Sequence, residues 1–456
     1  MSDSENTLPR PIEEWAATVA GGRLKKADRR PGGGRREAWF VDFELPDGSV
    51  AEWFLRLDRS TRVDSGDPYS TLRETDVYLA LQDTAIPVPR IHGVHERPQA
   101  VLSDRSDGET WFSRIRDPEE QLSVARDFMR HLAALHRLDP AALDIPALGP
   151  VRSAREHVTQ ELDTWQRLYE QHGSHTDPLI EFALGWLRRN IPAYDAPVVL
   201  VQGDTGPGNF LYADGRVKAI LDWELSHWGD PMDDIAWLSL RAVQEPFTHF
   251  PDRLKEYSER SGHPIDPGRV RYHRVFAETR IVIMGHGRAD ARSSRGEIGN
   301  GLIYGALHHR LLVETLADVL ALEPEPPELP DLPETAQTWL YDAASQQIRD
   351  VIVPRSQDPF VVLRAKGLAR ILKHLRDADR YGRDFEEREL RDLEALLGRR
   401  PDTIARGHDA LTRLVREGAL GDEALVRYFF RSTMRRTELA RSASGALAER
   451  HYPPLS

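Results

Sequence analysis

Residues 202–224 read QGDTGPGNFLYADGRVKAILDWE, and this stretch is more informative than the rest of the chain. It places an acid, Asp204, five residues before an amide, Asn209, with a second acid, Asp222, further along the chain. Transfer of a phosphoryl group from a nucleotide needs these parts. One carboxylate orients or deprotonates an acceptor hydroxyl, while an amide and another carboxylate hold Mg2+ against the phosphates. The spacing therefore predicts a phosphoryl-transfer site.

The residues between Asn209 and Asp222 predict a β-hairpin. Two strand-like runs, 209–212 and 216–221, flank Asp214-Gly215. An Asp-Gly pair between apolar runs is a strong signal for a tight turn. A hairpin would fold Asn209 back beside Asp222, so that both side chains could reach one cation.

This segment resembles the catalytic core of the aminoglycoside phosphotransferase-like family. The family pattern is His-Gly-Asp, an Asn five positions later, and a downstream Asp-x-Glu or Asp-x-Asp; residues 225–238 of this chain continue that pattern. The resemblance implies an α+β, bilobal protein-kinase-like fold with a β-rich N-terminal lobe and a mainly helical C-terminal lobe. It also implies ATP and Mg2+ as cofactors, Asp204 as the catalytic base, and Asn209 and Asp222 as metal ligands.

One position departs from the family pattern. Gln202 stands where the family usually has His, which is taken to brace the loop by hydrogen bonding. A Gln amide can also donate, so activity is expected to survive. Asp230, before Pro231, is predicted to cap a helix rather than to act in chemistry. For Glu224, support of the metal site and a plain exposed acid are equally open.

Composition narrows the class of protein. A chain of 456 residues is too long for one ordinary core, so two or three domains are expected. The net charge of −12 argues against general nucleic-acid binding. The chain has no cysteine, which excludes disulfides and thiolate catalysis. No signal-peptide pattern and no apolar run near the ~18–20 residues of a membrane span are present, so a cytoplasmic protein without a membrane partner is expected.

The N-terminal region carries candidates for nucleotide binding. Strand-like runs at 38–45 and 51–57 flank a turn, and a glycine-rich stretch that includes Gly33 and Gly34 precedes them. Such a turn can lie over nucleotide phosphates with its N–H groups exposed. The resemblance implies that Arg56 on the third strand holds the phosphates, braced by Glu74 in a helix over 72–81.

A hinge is predicted at 103–110, and the region after it is predicted to bind the acceptor. Only a few residues separate Asp222 from the predicted helix cap at Asp230, which leaves little room for the activation segment of protein kinases. A small-molecule acceptor is therefore favoured. His136, at the end of a helix over 118–138, is expected to pack on the core. Arg280, among apolar neighbours in a helical region rich in Arg and His, is the candidate contact with the substrate.

The predicted organisation is a nucleotide-binding lobe over 1–108, a catalytic and acceptor lobe over 109–322, a proline- and acid-rich linker over 323–334 and a helical domain over 335–456. Apolar stripes over 360–375, 390–397, 411–415 and 425–434 predict four helices in this last domain. It resembles the small accessory subunit of bacterial hydroxyacyl-CoA kinases. It is expected to pack on the kinase lobes or to mediate self-association.

The sequence thus predicts an ATP- and Mg2+-dependent kinase of a small-molecule hydroxyl. A hydroxyacyl-CoA, of the 4-hydroxyacyl-CoA type, is the favoured acceptor because the resemblance leads to that branch. An aminoglycoside or amino-alcohol kinase is the second hypothesis, although such pockets usually collect carboxylates. A nucleotide-binding scaffold without catalysis is the third, suggested by Gln202 and by Arg56 in place of Lys.

Overall fold

The computed structural model describes residues 7–30, 36–58, 69–172, 175–193, 196–289 and 298–456. Gly33 and Gly34, predicted to contact phosphate, lie outside the described residues. The chain divides into two compact units. The first holds residues 1–157, 194–267 and 453–456, and the second holds 158–193 and 268–452.

The strands are β1 (Arg23–Arg30), β2 (Glu37–Glu44), β3 (Val50–Asp58), β4 (Ile91–Glu96), β5 (Gln99–Asp104), β6 (Val199–Val201), β7 (Phe210–Ala213), β8 (Arg216–Ile220) and β9 (His227–Gly229). The helices are α1 (Arg10–Ala20), α2 (Thr71–Leu81), α3 (Pro118–Leu135), α4 (Ala154–His172), α5 (Pro178–Arg189), α6 (Pro231–Gln244), α7 (Phe250–Ser261), α8 (Pro267–Ala289), α9 (Ile298–Val319), α10 (Thr338–Gln347), α11 (Val353–Arg355), α12 (Pro359–Leu397), α13 (Ile404–Arg416) and α14 (Asp422–Ser444).

The first unit begins with an antiparallel sheet in the order β1-β2-β3-β5-β4. Alternate residues of β2 are buried, as period-2 patterning requires for a sheet with one covered face. Three of them, Trp39, Val41 and Phe43, pack in one core with Ile12 and Ala16 of α1. The strands predicted at 38–45 and 51–57 are confirmed as β2 and β3, and α2 follows β3 at the predicted place.

Two short pairs of strands flank the segment that contains Asp204, Asn209 and Asp222. β6 pairs with β9, and β7 pairs with β8, in both cases antiparallel. The predicted hairpin at 213–216 is confirmed: Asp214 and Gly215 have φ of 53° and 68°, the left-handed values that a type I′ turn requires at both positions. The strand pairs therefore fix both ends of the loop from Gln202 to Asn209.

The second unit is helical in its described residues. α14 and α12 pack on α9, and α13 packs on α5. Phe182 of α5 lies 5.6 Å from Phe429 of α14, measured between ring centroids. Residues 323–334 have neither helix nor strand, as predicted for a linker, and Leu332 accepts a 2.8 Å hydrogen bond from Arg380 of α12.

One prediction about the C-terminal helices is wrong. The stripes over 360–375 and 390–397 were predicted as two helices, whereas α12 runs through both as a single helix of 39 residues. The intervening residues are mostly charged and contain no proline, so nothing breaks the backbone hydrogen bonding between the stripes. Gly398 ends the helix with a φ of 71°, as predicted.

The compact units divide the chain differently from the predicted domains. Helices α5, α8 and α9 group with the C-terminal helices, because α13 packs on α5 and α14 packs on α9. The functional boundaries at 108, 322 and 334 stay a prediction. Among the described residues, no helix combines the length and the apolar character that a membrane crossing demands.

Candidate active site

Asp234, in the first turn of α6, organises the loop that follows β6. Its carboxylate accepts hydrogen bonds from the backbone N–H groups of Gln202 and Gly203, each at 2.9 Å, and from the hydroxyl of Thr205. The side chain is fully buried. A buried carboxylate with several donors is held firmly, because each bond to a charged group is stronger than a neutral one. Asp234 thereby fixes the backbone on either side of Asp204.

The buried side chains of His136 and Tyr257 form a hydrogen-bonded chain that ends at Asp234. The His136 ring lies 2.9 Å from the Asp234 carboxylate through Nε2 and 2.6 Å from the Tyr257 hydroxyl through Nδ1. His136 is thus in the core, as expected, and Asp234 links it to the loop that contains Asp204. Asp230 caps α6 by accepting a 2.9 Å hydrogen bond from the Met232 N–H, which confirms its structural assignment.

Gln202 joins this loop to the strand that leads to Asp222. Its side-chain Nε2 donates to the Leu221 carbonyl at 2.8 Å, and its own carbonyl accepts from the Ser226 hydroxyl at 3.2 Å. The bracing expected from the family's His is therefore made here by the amide. The next residue, Gly203, has a φ of 84°, and a Cβ there would lie 2.4 Å from the Leu225 carbonyl oxygen. A glycine is required at that position.

The hairpin brings the two predicted metal ligands together at its open end. Phe210 pairs with Ile220, and the Leu221 N–H donates to the Asn209 carbonyl at 2.8 Å. The Asn209 side-chain Nδ2 donates to the Asp204 carbonyl at 2.7 Å, which leaves the amide oxygen as the group able to bind a cation. Amide and carboxylate oxygens are ligands that Mg2+ accepts beside phosphate and water. Asn209 and Asp222 therefore fit such an ion.

Asp222 is held in an unusual backbone conformation. Its φ is 63°, uncommon for a residue other than glycine, and its N–H donates to the Tyr78 hydroxyl at 3.2 Å. Burial raises the pKa of the Asp222 carboxyl; Arg56 opposes the rise, and the charges of Glu74 and Asp204 add to it. A bound cation would favour the ionised form of this carboxyl and so oppose the rise in its pKa.

Two arginines share Glu74. Arg56 Nη1 lies 2.6 Å from Glu74 Oε1, and Arg36 Nη1 lies 2.9 Å from Oε2. The sequence predicted the partnership of Arg56 and Glu74, and the structure brings them together, with Arg56 Nη1 also 3.9 Å from Asp222. Burial would lower the pKa of Arg56, but the charges of Glu74 and Asp222 outweigh it and raise that pKa. Sequence reasoning missed Arg36.

Glu224, whose role was open, pairs with the second of these arginines. Arg36 Nη1 lies 3.0 Å from Glu224 Oε2. Burial, with the Asp222 charge as the next cause, raises the pKa of Glu224 to about 7. Glu224 is therefore part of the charged network around Asp222 rather than an isolated surface acid. Its contribution to metal binding stays a prediction.

Arg241 holds the predicted base, and sequence reasoning missed it. Its Nε donates to Asp204 Oδ1 at 2.8 Å and its Nη2 donates to Oδ2, so the guanidinium grips both carboxylate oxygens. Both side chains are only partly buried. The one signal in the sequence was its spacing, two helical turns after Asp234, which places both residues on one side of α6.

Arg280, the candidate substrate contact, belongs to α8 in the second unit. It is buried, and its guanidinium lies 3.8 Å from the centre of the Phe276 ring. Cation–π packing of this kind stabilises a buried arginine. A contact between Arg280 and an acceptor stays a prediction.

Comparisons with known proteins identify a family and a fold. A family model described as "Phosphotransferase enzyme family" matches residues 30–273. The rat protein (Rattus norvegicus) named acyl-CoA dehydrogenase family member 11 is 33% identical over 150 residues, which cover 32% of this chain and 19% of that protein. The human protein of the same name is 29% identical over 214 residues, or 42% of this chain and 25% of that one. The chain thus spans a quarter or less of these two relatives.

Solved structures share the fold. The choline kinase LicA from Streptococcus pneumoniae superposes with a TM-score of 0.50 at 14% identity, covering 68% of this chain and 98% of that one. A candidate aminoglycoside phosphotransferase from Ralstonia eutropha gives a TM-score of 0.50 at 22% identity, covering 66% and 94%. At these identities the likeness shows the fold alone, and it confirms the predicted kinase-like α+β class.

Proposed function

This chain belongs to the phosphotransferase enzyme family, and we propose that it transfers the terminal phosphoryl group of ATP to the hydroxyl of a hydroxyacyl-CoA. The observation that carries the proposal is that one loop and one hairpin bring Asp204, Asn209 and Asp222 together, while Arg56 of β3, paired with Glu74 of α2, lies 3.9 Å from Asp222. Those five side chains are the parts that phosphoryl transfer needs.

The proposed chemistry uses each part in turn. Asp204 orients the acceptor hydroxyl and takes its proton as the oxygen attacks the terminal phosphorus. A bond forms between that oxygen and phosphorus, the bond from phosphorus to the β,γ-bridging oxygen breaks, and ADP leaves. Arg56, braced by Glu74, holds the phosphates. Asn209 and Asp222 would hold Mg2+, which when bound neutralises charge on the phosphates.

Two observations support the acyl-CoA acceptor. The curated relatives carry names from acyl-CoA chemistry, although the matched region is a minor part of each. Arg241 binds the proposed base, and its guanidinium carries only N–H donors, so beside the acceptor position it can bind an oxygen but makes no favourable contact with the ammonium groups of aminoglycosides and choline.

The test is phosphate transfer from ATP with Mg2+ to a panel of 3-, 4- and 5-hydroxyacyl-CoAs, detected by mass. Free hydroxy acids, an aminoglycoside and choline are run in parallel. A gain of one phosphoryl group confined to acyl-CoA acceptors is the expected result. A gain on the aminoglycoside or on choline would replace the proposal by the amino-alcohol kinase hypothesis. ADP binding without transfer to any compound would favour the third hypothesis, a nucleotide-binding scaffold without catalysis.

Asp204→Asn separates catalysis from binding in the same assay. Loss of the base is expected to lower kcat by about 10²–10⁴-fold while ADP binding and the melting temperature are largely retained. The matched control is Asp214→Asn, at the exposed tip of the same hairpin, where Asn also tolerates a positive φ. Full turnover by the Asp204 variant would exclude it as the base.

A further inference from the structure

Helix α6 supports the catalytic loop twice. Asp234 in its first turn binds the loop backbone, and Arg241, seven residues later, binds the Asp204 side chain. Seven residues make about two turns, so both side chains leave the helix on the same side. The position of the predicted base is therefore set by one rigid element.

The contact between Arg241 and Asp204 is bidentate. Nε meets Oδ1 at 2.8 Å and Nη2 meets Oδ2, while Nη1 lies 3.5 Å from Gln244 Oε1, at the limit of a hydrogen bond. The planar guanidinium matches a carboxylate in this arrangement, which fixes direction as well as distance. About a fifth of the Arg241 side chain is exposed (22%), so an incoming molecule can reach it.

Gly206 makes room for this arginine. A Cβ at Gly206 would lie 2.8 Å from Arg241 Cβ and 3.1 Å from its Cγ, closer than real side chains approach. Gly206 also has a φ of 136°, which other residues rarely adopt. The loop backbone therefore packs closely against the aliphatic part of the Arg241 side chain. Such close packing is expected if Arg241 stays bound to the loop.

The place of the acceptor follows from the base. A hydroxyl that gives its proton to Asp204 must lie roughly 2.6–3.2 Å from one of its oxygens. Each of those oxygens already carries an N–H of Arg241. Atoms a few bonds away from the acceptor hydroxyl consequently lie beside the guanidinium, which has only N–H donors and therefore binds an oxygen with lone pairs but offers no acceptor to an ammonium group.

We infer that Arg241 has two tasks: it positions Asp204, and it recognises a carbonyl or carboxylate oxygen close to the acceptor hydroxyl. The inference rests on the proposed function and narrows it. The acceptor is a hydroxy compound whose hydroxyl lies within a few carbons of an electron-rich oxygen, which in a hydroxyacyl-CoA is the thioester carbonyl.

Paired acceptors test recognition apart from positioning. The probes are the hydroxyacyl-CoA that the wild-type protein phosphorylates best and its thioether analogue, in which a methylene replaces the carbonyl. Because a hydrogen bond to a charged group is stronger than one between neutral groups, the wild-type kcat/KM is expected to favour the thioester by roughly ten- to hundredfold. Arg241→Met should bring the ratio near one, and Arg241→Lys should restore part of it.

Controls separate the possible failures. Arg126→Met removes an arginine of α3 whose Nε lies 2.9 Å from Glu256, and it should leave the ratio unchanged. If Arg241→Met lowers kcat equally for both acceptors, Arg241 only positions Asp204 and the recognition step is wrong, while the proposed function stands. If the wild-type protein phosphorylates no hydroxyacyl-CoA of the panel, the proposed function and this inference are both overturned. Should Arg241→Met fail to fold, the same ratio is read from Arg241→Lys and Arg241→Gln.

Discussion

The side-chain amide of Gln202 donates to the Leu221 carbonyl at 2.8 Å and so ties the loop of the predicted base to the strand before a predicted metal ligand. Gln202 is almost fully buried. Together with the 2.7 Å bond from Asn209 Nδ2 to the Asp204 carbonyl, this hydrogen bond connects the two halves of the candidate site.

Replacing Gln202 by Ala is expected to leave the Leu221 carbonyl without its donor. An unsatisfied buried acceptor costs about 1–3 kcal/mol, and kcat should fall because Asp204 and Asp222 lose their common brace. Gln202→His should keep most of the activity. Urea unfolding and kcat are the measurements. Gln121→Ala is the control, since Gln121 makes the same kind of bond to the Ile115 carbonyl at 2.9 Å in α3. Equal kcat losses in both Ala variants would contradict a specific role for Gln202.

Asp234→Asn should disable the loop while keeping the shape of the side chain. The Asn amide keeps only one acceptor oxygen. In one orientation its NH2 group would face the Gly203 N–H and the Thr205 hydroxyl. In the other it would face the Gln202 N–H and His136. Losing two bonds to a charged group is expected to cost roughly 3 kcal/mol or more, with at least about a tenfold fall in kcat.

Thermal melts and steady-state kinetics of this variant are compared with those of Asp233→Asn. Asp233 is equally buried and lies 3.1 Å from the ring of His227 in β9. Its substitution should lower stability without a matching fall in kcat. A kcat for Asp234→Asn at the wild-type level would show that the loop does not need this anchor.

The sequence sufficed for the parts of the site that are close along the chain. Asp204, Asn209 and Asp222 lie within one hairpin and its approach, so local turn chemistry already placed them together. Arg56 and Glu74 were reached through family resemblance. Arg241 and Asp234 were not assigned these roles, because their partners lie 37 and 31 residues away and only the packing of α6 under the loop brings them there.

The same physical limit explains the error at α12. An amphipathic stripe shows which face of a helix is buried. The stretch between the two stripes is mostly charged, so no apolar pattern indicated that one helix runs through both. Arg36 was missed for a related reason: it reaches Glu74 across 38 residues, and a charged residue at the edge of a predicted strand looks like any surface cation.

Glu74→Gln is expected to weaken nucleotide and Mg2+ binding together. Without the Glu74 charge, Arg56 keeps Asp222 as its nearest anion, now 3.9 Å away, and this ion pair would compete with a cation for the Asp222 carboxylate. The apparent KM for ATP and the Mg2+ concentration for half-maximal rate should both rise. Glu52→Gln, on the exposed side of β3, should change neither. A rise in KM for ATP with an unchanged Mg2+ requirement would argue against competition at Asp222.

A buried ionic network predicts how the helical second unit responds to pH. Glu389 of α12 accepts hydrogen bonds from the Tyr428 hydroxyl at 2.6 Å, the Ser432 hydroxyl at 2.8 Å and Arg435 at 2.5 Å. Burial alone would raise the pKa of Glu389, but hydrogen bonds from His408, Arg435 and Tyr428 outweigh it and hold that pKa well below its usual range. The ionised form is therefore the one that stabilises the fold.

The sign of the pH effect follows by linkage. A carboxyl whose pKa is lower in the folded than in the unfolded state adds stability above its ordinary pKa of about 4.3, and that stability is lost as the pH falls through the folded value. Glu389→Gln should thus have a lower melting temperature than the wild-type protein at pH 7, with the gap narrowing below about pH 4. Glu387→Gln, an exposed neighbour paired with Arg400, should show little gap at any pH. A gap for Glu389→Gln that stays constant from pH 7 down to about pH 3.5 would mean that this carboxylate does not carry the stability.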